Sequence, residues 1–530
     1  MRNPEEPTTF KEALKGPAAE KWRGAIDEEW NSLVDEGVFT VVPREDVEGQ
    51  CVISSKWVFK IKGDGRHKAR CVGRGFQQWN STIDQTFAPV ARLGTARMLL
   101  ALATVFGHDV WQMDVVTAFL NAVLSQDTPI FMEVPQGYED RYPGMVLRLN
   151  KALYGLKEAP RLWNKTFDKF FSDIGYSPTK VDPCLYIRRE GEDYMWVIIW
   201  VDDILMVGDL RMRQELRAKL MKKFQMSKKV DNKPTELLGM EVQYEQAAGV
   251  MELTQSKYTL EVYRNYRDED VKVRAAKSPM LESTKLTKQD APQTDEDAKY
   301  MKAKDYRGVV GSLLYLQMCT RPDIAFAVKE LSRFLDCPGL KHWSAAQHLL
   351  EYVKNTHHYG LRYTRPCEGI KLEGLLHGYS DADWAGQVED RRSTSGYVFK
   401  LAGGPISWQS KTQKSVALST AEAEYMALSD AAKEAMHLRA LLTVLGIDVE
   451  EKTVIYEDNQ AAIKIAENPV LHDRTKHIDI RYHFVRELVE ALKIDVVYIN
   501  TKDMVADLMT KAVSVAIFQR LCGRLMGHSD

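Results

Sequence analysis

The stretch Val197–Val207, VIIWVDDILMV, sets two adjacent carboxylates between two apolar runs rich in β-branched residues. Each run is short and strand-prone, so the segment reads as two buried strands joined tightly, with Asp202 and Asp203 at the tip of a β-hairpin. Few other segments restrict the fold as much. A buried element that carries ionised groups needs a use or a compensation for them, although Asp pairs also serve simply as turn residues.

A third acid bears on the choice. Asp114, in WQMDVV, ends another apolar strand-like run 88 positions upstream of Asp202. Three carboxylates delivered by two neighbouring strands suit two Mg²⁺ ions, which take hard oxygen ligands. Two metals about 3.5–4 Å apart activate an attacking 3′-hydroxyl and stabilise a leaving pyrophosphate.

The chain has 530 residues, enough for three or four domains at roughly 150 residues each. No apolar run approaches the roughly 18 residues of a membrane span, and the N-terminal MRNPEEPTTF lacks a signal-peptide core, so an intracellular protein without a membrane partner is expected. The seven cysteines are scattered with no C-x-x-C pair, which points to neither a disulfide framework nor a zinc site. With a net charge of −2, nucleic-acid binding has to come from a local patch. Such a patch lies between Ser54 and Gly75, where Lys56, Lys60, Lys62, Arg66, Lys68, Arg70 and Arg74 face a single acid, Asp64. Its alternation and central Gly-Asp-Gly predict a hairpin with the cations on one face and Trp57 and Phe59 on the other.

Residues 10–35 read as an amphipathic helix and Thr95–Phe106 as a second one. Ser283–Lys304 is polar, charge-rich and without apolar period, so it reads as a linker or exposed loop. Helical segments follow around 305–358, with the Met and aromatic positions near 313–326, and Met436-His437 further on, read as core. The strand-like LLHGYSDADWAG opens a final α/β unit running to about residue 511.

That unit holds a second acid set: Asp381, the acids of STAEAEYMAL, Asp458 in YEDNQAA and Asp507 in VADLMTK. Four convergent acids suit a two-metal nuclease, while any one alone reads equally as a cap or ion pair. Ser419-Thr420-Ala421-Glu422 matches a capping box, which gives Glu422 a structural task. Glu424 shares a helical face with Leu428 and Ala431 and is the catalytic candidate.

Taken together, KWVFKIK with HKARCVGRGF, QMDVVTAFLN, ALYGLKEAPRLW, the VDD hairpin, LLGMEV, VGSLLYLQMCTRPDIAFAV, GYSDADWAG, STAEAEYMAL, EDNQAA and VADLMTK resemble the reverse transcriptase and ribonuclease H portion of Ty1/copia-type LTR retrotransposon polyproteins, from about residue 10 to 512. The resemblance implies an α/β and α+β multidomain fold: a right-hand polymerase of fingers, palm and thumb followed by a ribonuclease H-like α/β domain. It implies a reverse transcriptase over 10–275, a helical thumb or connection over 276–372, a ribonuclease H-like domain over 373–512 and a C-terminal tail over 513–530. Asp114, Asp202 and Asp203 resemble the polymerase metal triad. Asp381, Glu424, Asp458 and Asp507 resemble the ribonuclease H acids. Each set is expected to hold two Mg²⁺, with Mn²⁺ as substitute.

Lys68 and Arg70 are similar to fingers residues that meet the triphosphate, where positive charge offsets developing negative charge. Phe119 resembles the aromatic gate that excludes a 2′-hydroxyl, or else reads as a core aromatic. Glu158 is placed beside the nucleotide. Leu238, Gly239, Met240 and Glu241 resemble the primer grip, and Lys56, Lys60, Lys62, Arg66 and Arg74 are candidates for nucleic-acid contact. The implied partners are an RNA template, a DNA primer, RNA/DNA hybrid and dNTPs, with an integrase or a second copy as associates. The implied location is a cytoplasmic virus-like particle whose DNA reaches the nucleus. Trp200 stands where the family usually has Tyr, Glu158 where it has Gln and Val116 where Lys is common, and KKVDNKP before LLGMEV is unusual. These departures leave two alternatives open: a remnant that only binds nucleic acid, or one that keeps only the nuclease.

Overall fold

The computed structural model describes residues 5–62, 65–79, 86–227, 235–273, 276–366, 376–387, 389–448, 452–467 and 476–528. Gly63 and Asp64 of the basic hairpin's turn and the segment KKVDNKP lie outside them. The apolar runs around the Asp pair form the antiparallel strands Asp193–Trp200 and Asp203–Gly208. They sit inside a five-stranded sheet ordered Val110–Asp114, Asp203–Gly208, Asp193–Trp200, Leu185–Glu190, Ser177–Pro178. Val197, Ile199, Ile204 and Met206 enter one core, and Trp196, Ile198, Leu205 and Val207 enter another. Both sheet faces are therefore covered, which is why the runs show no polar alternation. Helices Ala159–Asp173 and Leu210–Lys223 supply Trp163, Phe167, Leu216 and Leu220 to the first core, and helix Leu93–Phe106 supplies Met98 and Leu102 to the second.

The N-terminal region differs from the single helix expected over 10–35. Helix Phe10–Ala13 stops and helix Ala19–Asp35 begins after Gly16-Pro17, because proline lacks the N–H that a continuous helix would need. The longer helix lays Trp22, Ile26, Trp30 and Leu33 into the core. The basic segment is a hairpin of Ser55–Ile61 and His67–Gly73. Trp57 and Phe59 are buried, Trp22 packs edge-on against Phe59 at 5.2 Å, and Lys56 and Lys60 are exposed on the opposite face.

The span read as a linker, Ser283–Lys304, contains a 3-10 turn at Lys288–Asp290 and helix Asp295–Lys302. Thr287 and Asp290 cap the turn reciprocally, and Thr294 Oγ1 accepts the Asp297 N–H at 3.1 Å. Leu286 and Met301 anchor the span in the core. Two apolar anchors leave no detectable period, so capping chemistry rather than periodicity specifies this segment. In the following helix Tyr306–Cys319, Leu313 and Leu316 are buried, but Tyr315 and Met318 are exposed, contrary to their reading as core. Met436 and His437 are likewise only half-buried, and His437 Nε2 lies 3.2 Å from Arg92 Nη1.

Within TRPD, Arg321 and Asp323 are fully buried and joined by two hydrogen bonds of 2.9 and 2.8 Å; Tyr352 donates its hydroxyl to Asp323 at 2.7 Å. Strand Gly360–Thr364 returns to pair with Val250–Thr254, so the helices after residue 275 and the region before it share a four-stranded sheet. Arg97 also ties distant parts together: it donates to Ile406 O at 2.9 Å and Met318 O at 2.7 Å and stacks on Trp408 at 3.9 Å.

The last unit has a five-stranded sheet ordered Gly404–Thr412, Thr394–Leu401, His377–Asp383, Thr453–Glu457, Ile494–Tyr498, with the final two pairings parallel. The 25-residue helix Thr420–Val444 packs across it. Residues 513–530, set apart as a tail, carry helix Val515–Met526, whose Phe518, Leu521, Cys522 and Leu525 are buried. Among the described residues, no helix is long and apolar enough to cross a membrane.

Two candidate carboxylate centres

Asp114 and Asp203 are direct cross-strand partners, so the two apolar strands are neighbours and bring their acids together. Trp200 pairs with Asp203, which leaves Val201 and Asp202 as the two loop residues; Asp203 therefore begins a strand rather than sitting in the turn. Val201 has φ +59°, a costly conformation for a β-branched residue. Its surroundings hold it there: Trp163 Nε1 donates to Val201 O at 2.6 Å, and Val115 N donates to Asp202 O at 3.0 Å. Gln112 Nε2 donates to Asp203 Oδ1 at 3.1 Å. Burial, with the charges of Asp202 and Asp114 adding to it, pushes the Asp203 carboxyl up to about 6. Asp114 and Asp203 opposite one another, with Asp202 in the adjoining turn and one carboxyl raised, offer hard oxygen donors suited to a divalent cation.

The basic hairpin faces this triad. Burial and the neighbouring Arg70 and Lys62 lower the Lys68 ammonium, while Asp114 is among the acids that oppose the shift. The Arg70 guanidinium lies 4.8 Å from the Tyr154 ring, and Phe119 meets the same ring edge-on at 5.0 Å. Tyr154 itself, its phenol raised by burial and by Asp202 and Asp114, links Arg70, Phe119 and the acids. Sequence reasoning quoted Tyr154 within ALYGLKEAPRLW but gave it no role. Phe119, Trp163, Trp200 and Val201 line a small cavity of about 60 Å³.

Glu158 has an evident partner: it accepts the Gln78 side-chain N–H at 2.9 Å, while Gln78 Oε1 accepts Lys157 N–H at 2.9 Å and the Lys157 ammonium donates to Gln78 O at 2.9 Å. The carboxylate thus fixes the end of the basic hairpin to the start of helix Ala159–Asp173. Leu238 and Gly239 form a two-residue turn with φ of +52° and +72° between paired Leu237 and Met240. Tyr315 donates its hydroxyl to Leu238 O at 2.9 Å, which gives that exposed ring a role. Met240 is buried, and Glu241 accepts Lys257 N–H at 2.8 Å, so both hold the turn in place. Lys62, Arg66 and Arg74 are exposed with Lys56 and Lys60.

In the second centre, Asp381 lies two residues before the end of the middle strand, Glu424 lies one turn into helix Thr420–Val444, and Asp458 follows strand Thr453–Glu457. One ligand oxygen from each falls within 4.8 Å of the other two. Glu424 is raised well above the usual carboxylate range by burial and then by Asp381, Glu457 and Asp458, and its Oε2 has no hydrogen-bond partner. A buried orphan oxygen among acids is the donor set a cation fits. Glu422 does cap: Glu422 N–H donates to Ser419 Oγ at 3.2 Å, though its carboxylate accepts from Leu418 N at 2.7 Å rather than from Ser419. Asp507 is pushed up to about 7 by burial and Asp381 against the opposing Lys511, whose ammonium lies 2.7 Å from Asp507 Oδ1. Two buried participants escaped sequence reasoning: Thr510, which donates to Asp381, and Glu457, adjacent to Asp458.

A family model described as reverse transcriptase (RNA-dependent DNA polymerase) matches residues 37–281. The Retrovirus-related Pol polyprotein from transposon TNT 1-94 of Nicotiana tabacum is 40% identical over 99% of this chain and 39% of its own length. The putative transposon Ty5-1 protein YCL074W of Saccharomyces cerevisiae is 30% identical over 61% of this chain and its whole length. The chain belongs to the Ty1/copia-type reverse transcriptases. It spans about two fifths of the length of the TNT 1-94 polyprotein. A solved structure of foamy viral protease-reverse transcriptase with double-stranded DNA aligns over 90% of this copia-type chain and 70% of its own, with 12% identity and a TM-score of 0.47.

Proposed function

We propose that this copia-type chain is an RNA- and DNA-directed DNA polymerase that also cleaves the RNA strand of hybrids, with one reaction at each carboxylate centre. The observation that carries the reading is the cross-strand pairing of Asp114 with Asp203 beside a turn whose backbone is clamped from two sides. Asp114, Asp202 and Asp203 would hold Mg²⁺ at the first centre, and Asp381, Glu424, Asp458 and Asp507 at the second; bound there, the metal would activate the attacking oxygen and stabilise the leaving one. Lys68 and Arg70 bind and orient the triphosphate opposite the acids. Phe119, held by Tyr154, excludes the 2′-hydroxyl. Trp163 and Val115 keep the Val201-Asp202 turn rigid, which preserves the geometry of the acids between substrates. Glu158, through Gln78, keeps the hairpin over the site, so its carboxylate acts on protein rather than on nucleotide.

The substrates on this reading are an RNA template, a DNA primer and dNTPs, used within a cytoplasmic virus-like particle beside an integrase or a second copy. The purified chain, given a labelled DNA primer on an RNA template, Mg²⁺ and four dNTPs, is expected to extend the primer, and Asp202→Asn is expected not to. Equal extension by the variant overturns the assignment.

A further inference from the structure

Lys511 stands at the end of the short helix Asp507–Thr510, with its ammonium 2.7 Å from Asp507 Oδ1 and 3.7 Å from Asp381 Oδ2. Thr510 donates to the same Asp381 oxygen. The acids of the second centre therefore divide in two. Asp381, Glu424 and Asp458 converge on one point, with Glu424 Oε2 left without a partner. Asp507, outside that converging group, is already paired with a cation from the protein itself. We infer that Lys511 is a built-in counter-ion that occupies the second cation position of this centre, so that a first divalent ion binds beside it and a second binds only by displacing it.

The geometry supports this in three ways. Asp381 touches both halves, as a carboxylate shared between two cations must. The ammonium is a compact point charge on a flexible four-carbon stem, and the side chain is 36% exposed, so it has a route outward. The ammonium lies within 4 Å of an oxygen on each of Asp381 and Asp507, so one protein cation already spans the two acids. Displacing it costs the Asp507 contact, and an incoming phosphodiester offers the ammonium another anionic partner. Lys511 is thus a positioning residue that couples filling of the second metal position to substrate.

This rests on the second centre being a metal site, and Mn²⁺ binding to the full chain tests both statements separately. With the polymerase triad replaced by Asn in every sample, isothermal titration calorimetry is expected to show one tight Mn²⁺ per wild-type chain. Lys511→Met is expected to bind a second Mn²⁺ roughly tenfold or more tighter than wild type does, because no ammonium has to be moved out of that position. Identical one-ion isotherms for the two proteins overturn the inference while leaving the metal site intact. No Mn²⁺ bound by either protein overturns the metal site and the inference with it.

A second measurement needs no variant at this position. Lys511 is expected to resist an amine-acetylating reagent at the Mn²⁺ concentration that fills one site, read by mass spectrometry. Its labelling is expected to increase severalfold at the concentration that fills two. Unchanged labelling when two ions are bound overturns the displacement.

Discussion

Asp203→Asn separates the stability of the first centre from its chemistry. The Asp203 carboxyl titrates near 6 in the folded chain against an ordinary 3.8, chiefly because it is buried and faces Asp202 and Asp114. At about 1.36 kcal/mol per pH unit the difference corresponds to about 3 kcal/mol, which partial solvent access reduces to roughly 2 kcal/mol. The folded pKa is raised, so the neutral acid's contribution is intact below about pH 4 and is lost as pH rises through 6, because the unfolded chain ionises first. Asn does not titrate and can still accept the Gln112 hydrogen bond. In urea denaturation with EDTA, the variant is therefore expected to match wild type near pH 4 and to exceed it by roughly 2 kcal/mol at pH 7.5. Added Mg²⁺ is expected to restore much of the wild-type stability at pH 7.5 and little of the variant's, while primer extension is lost in the variant throughout. Parallel stability profiles for the two proteins across pH 4–7.5 would refute the electrostatic account of the triad.

Three further outcomes follow from the packing. Gly155 has φ +88°, and a Cβ there would fall 2.2 Å from Gly73 O; Gly155→Ala is expected to destabilise the chain by roughly 2–4 kcal/mol and to abolish extension while sparing RNA cleavage, measured on the same preparation. Phe119→Ala removes the ring held at 5.0 Å by Tyr154, and incorporation assays are expected to show roughly tenfold or greater loss of discrimination against ribonucleotides. Arg321→Met leaves Asp323 buried without its guanidinium and is expected to cost roughly 3–5 kcal/mol in denaturant titration, with wild-type stability the contrary result.

The parts of the molecule written in local pattern were legible. The Asp-Asp hairpin, the basic hairpin with Trp57 and Phe59 on its buried face, and the separation of the capping Glu422 from the inward-facing Glu424 all follow from periods of two or 3.6 and from a capping box. Other parts depend on contacts between distant residues, and no period reports those. That Asp114 lies opposite Asp203, that Glu158 serves Gln78, that Arg97 joins three elements, and that Lys511 sits between Asp381 and Asp507 are tertiary facts. The ordered span Ser283–Lys304 was hidden for a different reason: two Thr-x-x-Asp caps and two apolar anchors specify it without any repeat. The break at Gly16-Pro17 was readable and was overridden by the surrounding amphipathic pattern.

Crossing variants of the two carboxylate centres shows whether their chemistries are separable. On one RNA template with a labelled DNA primer and Mg²⁺, extension and RNA cleavage are scored together for wild type, Asp202→Asn and Asp381→Asn. Asp202→Asn is expected to cleave without extending, and Asp381→Asn to extend without cleaving. Loss of both activities in either variant, or neither activity in a folded wild-type chain that still binds the hybrid, contradicts two separable centres.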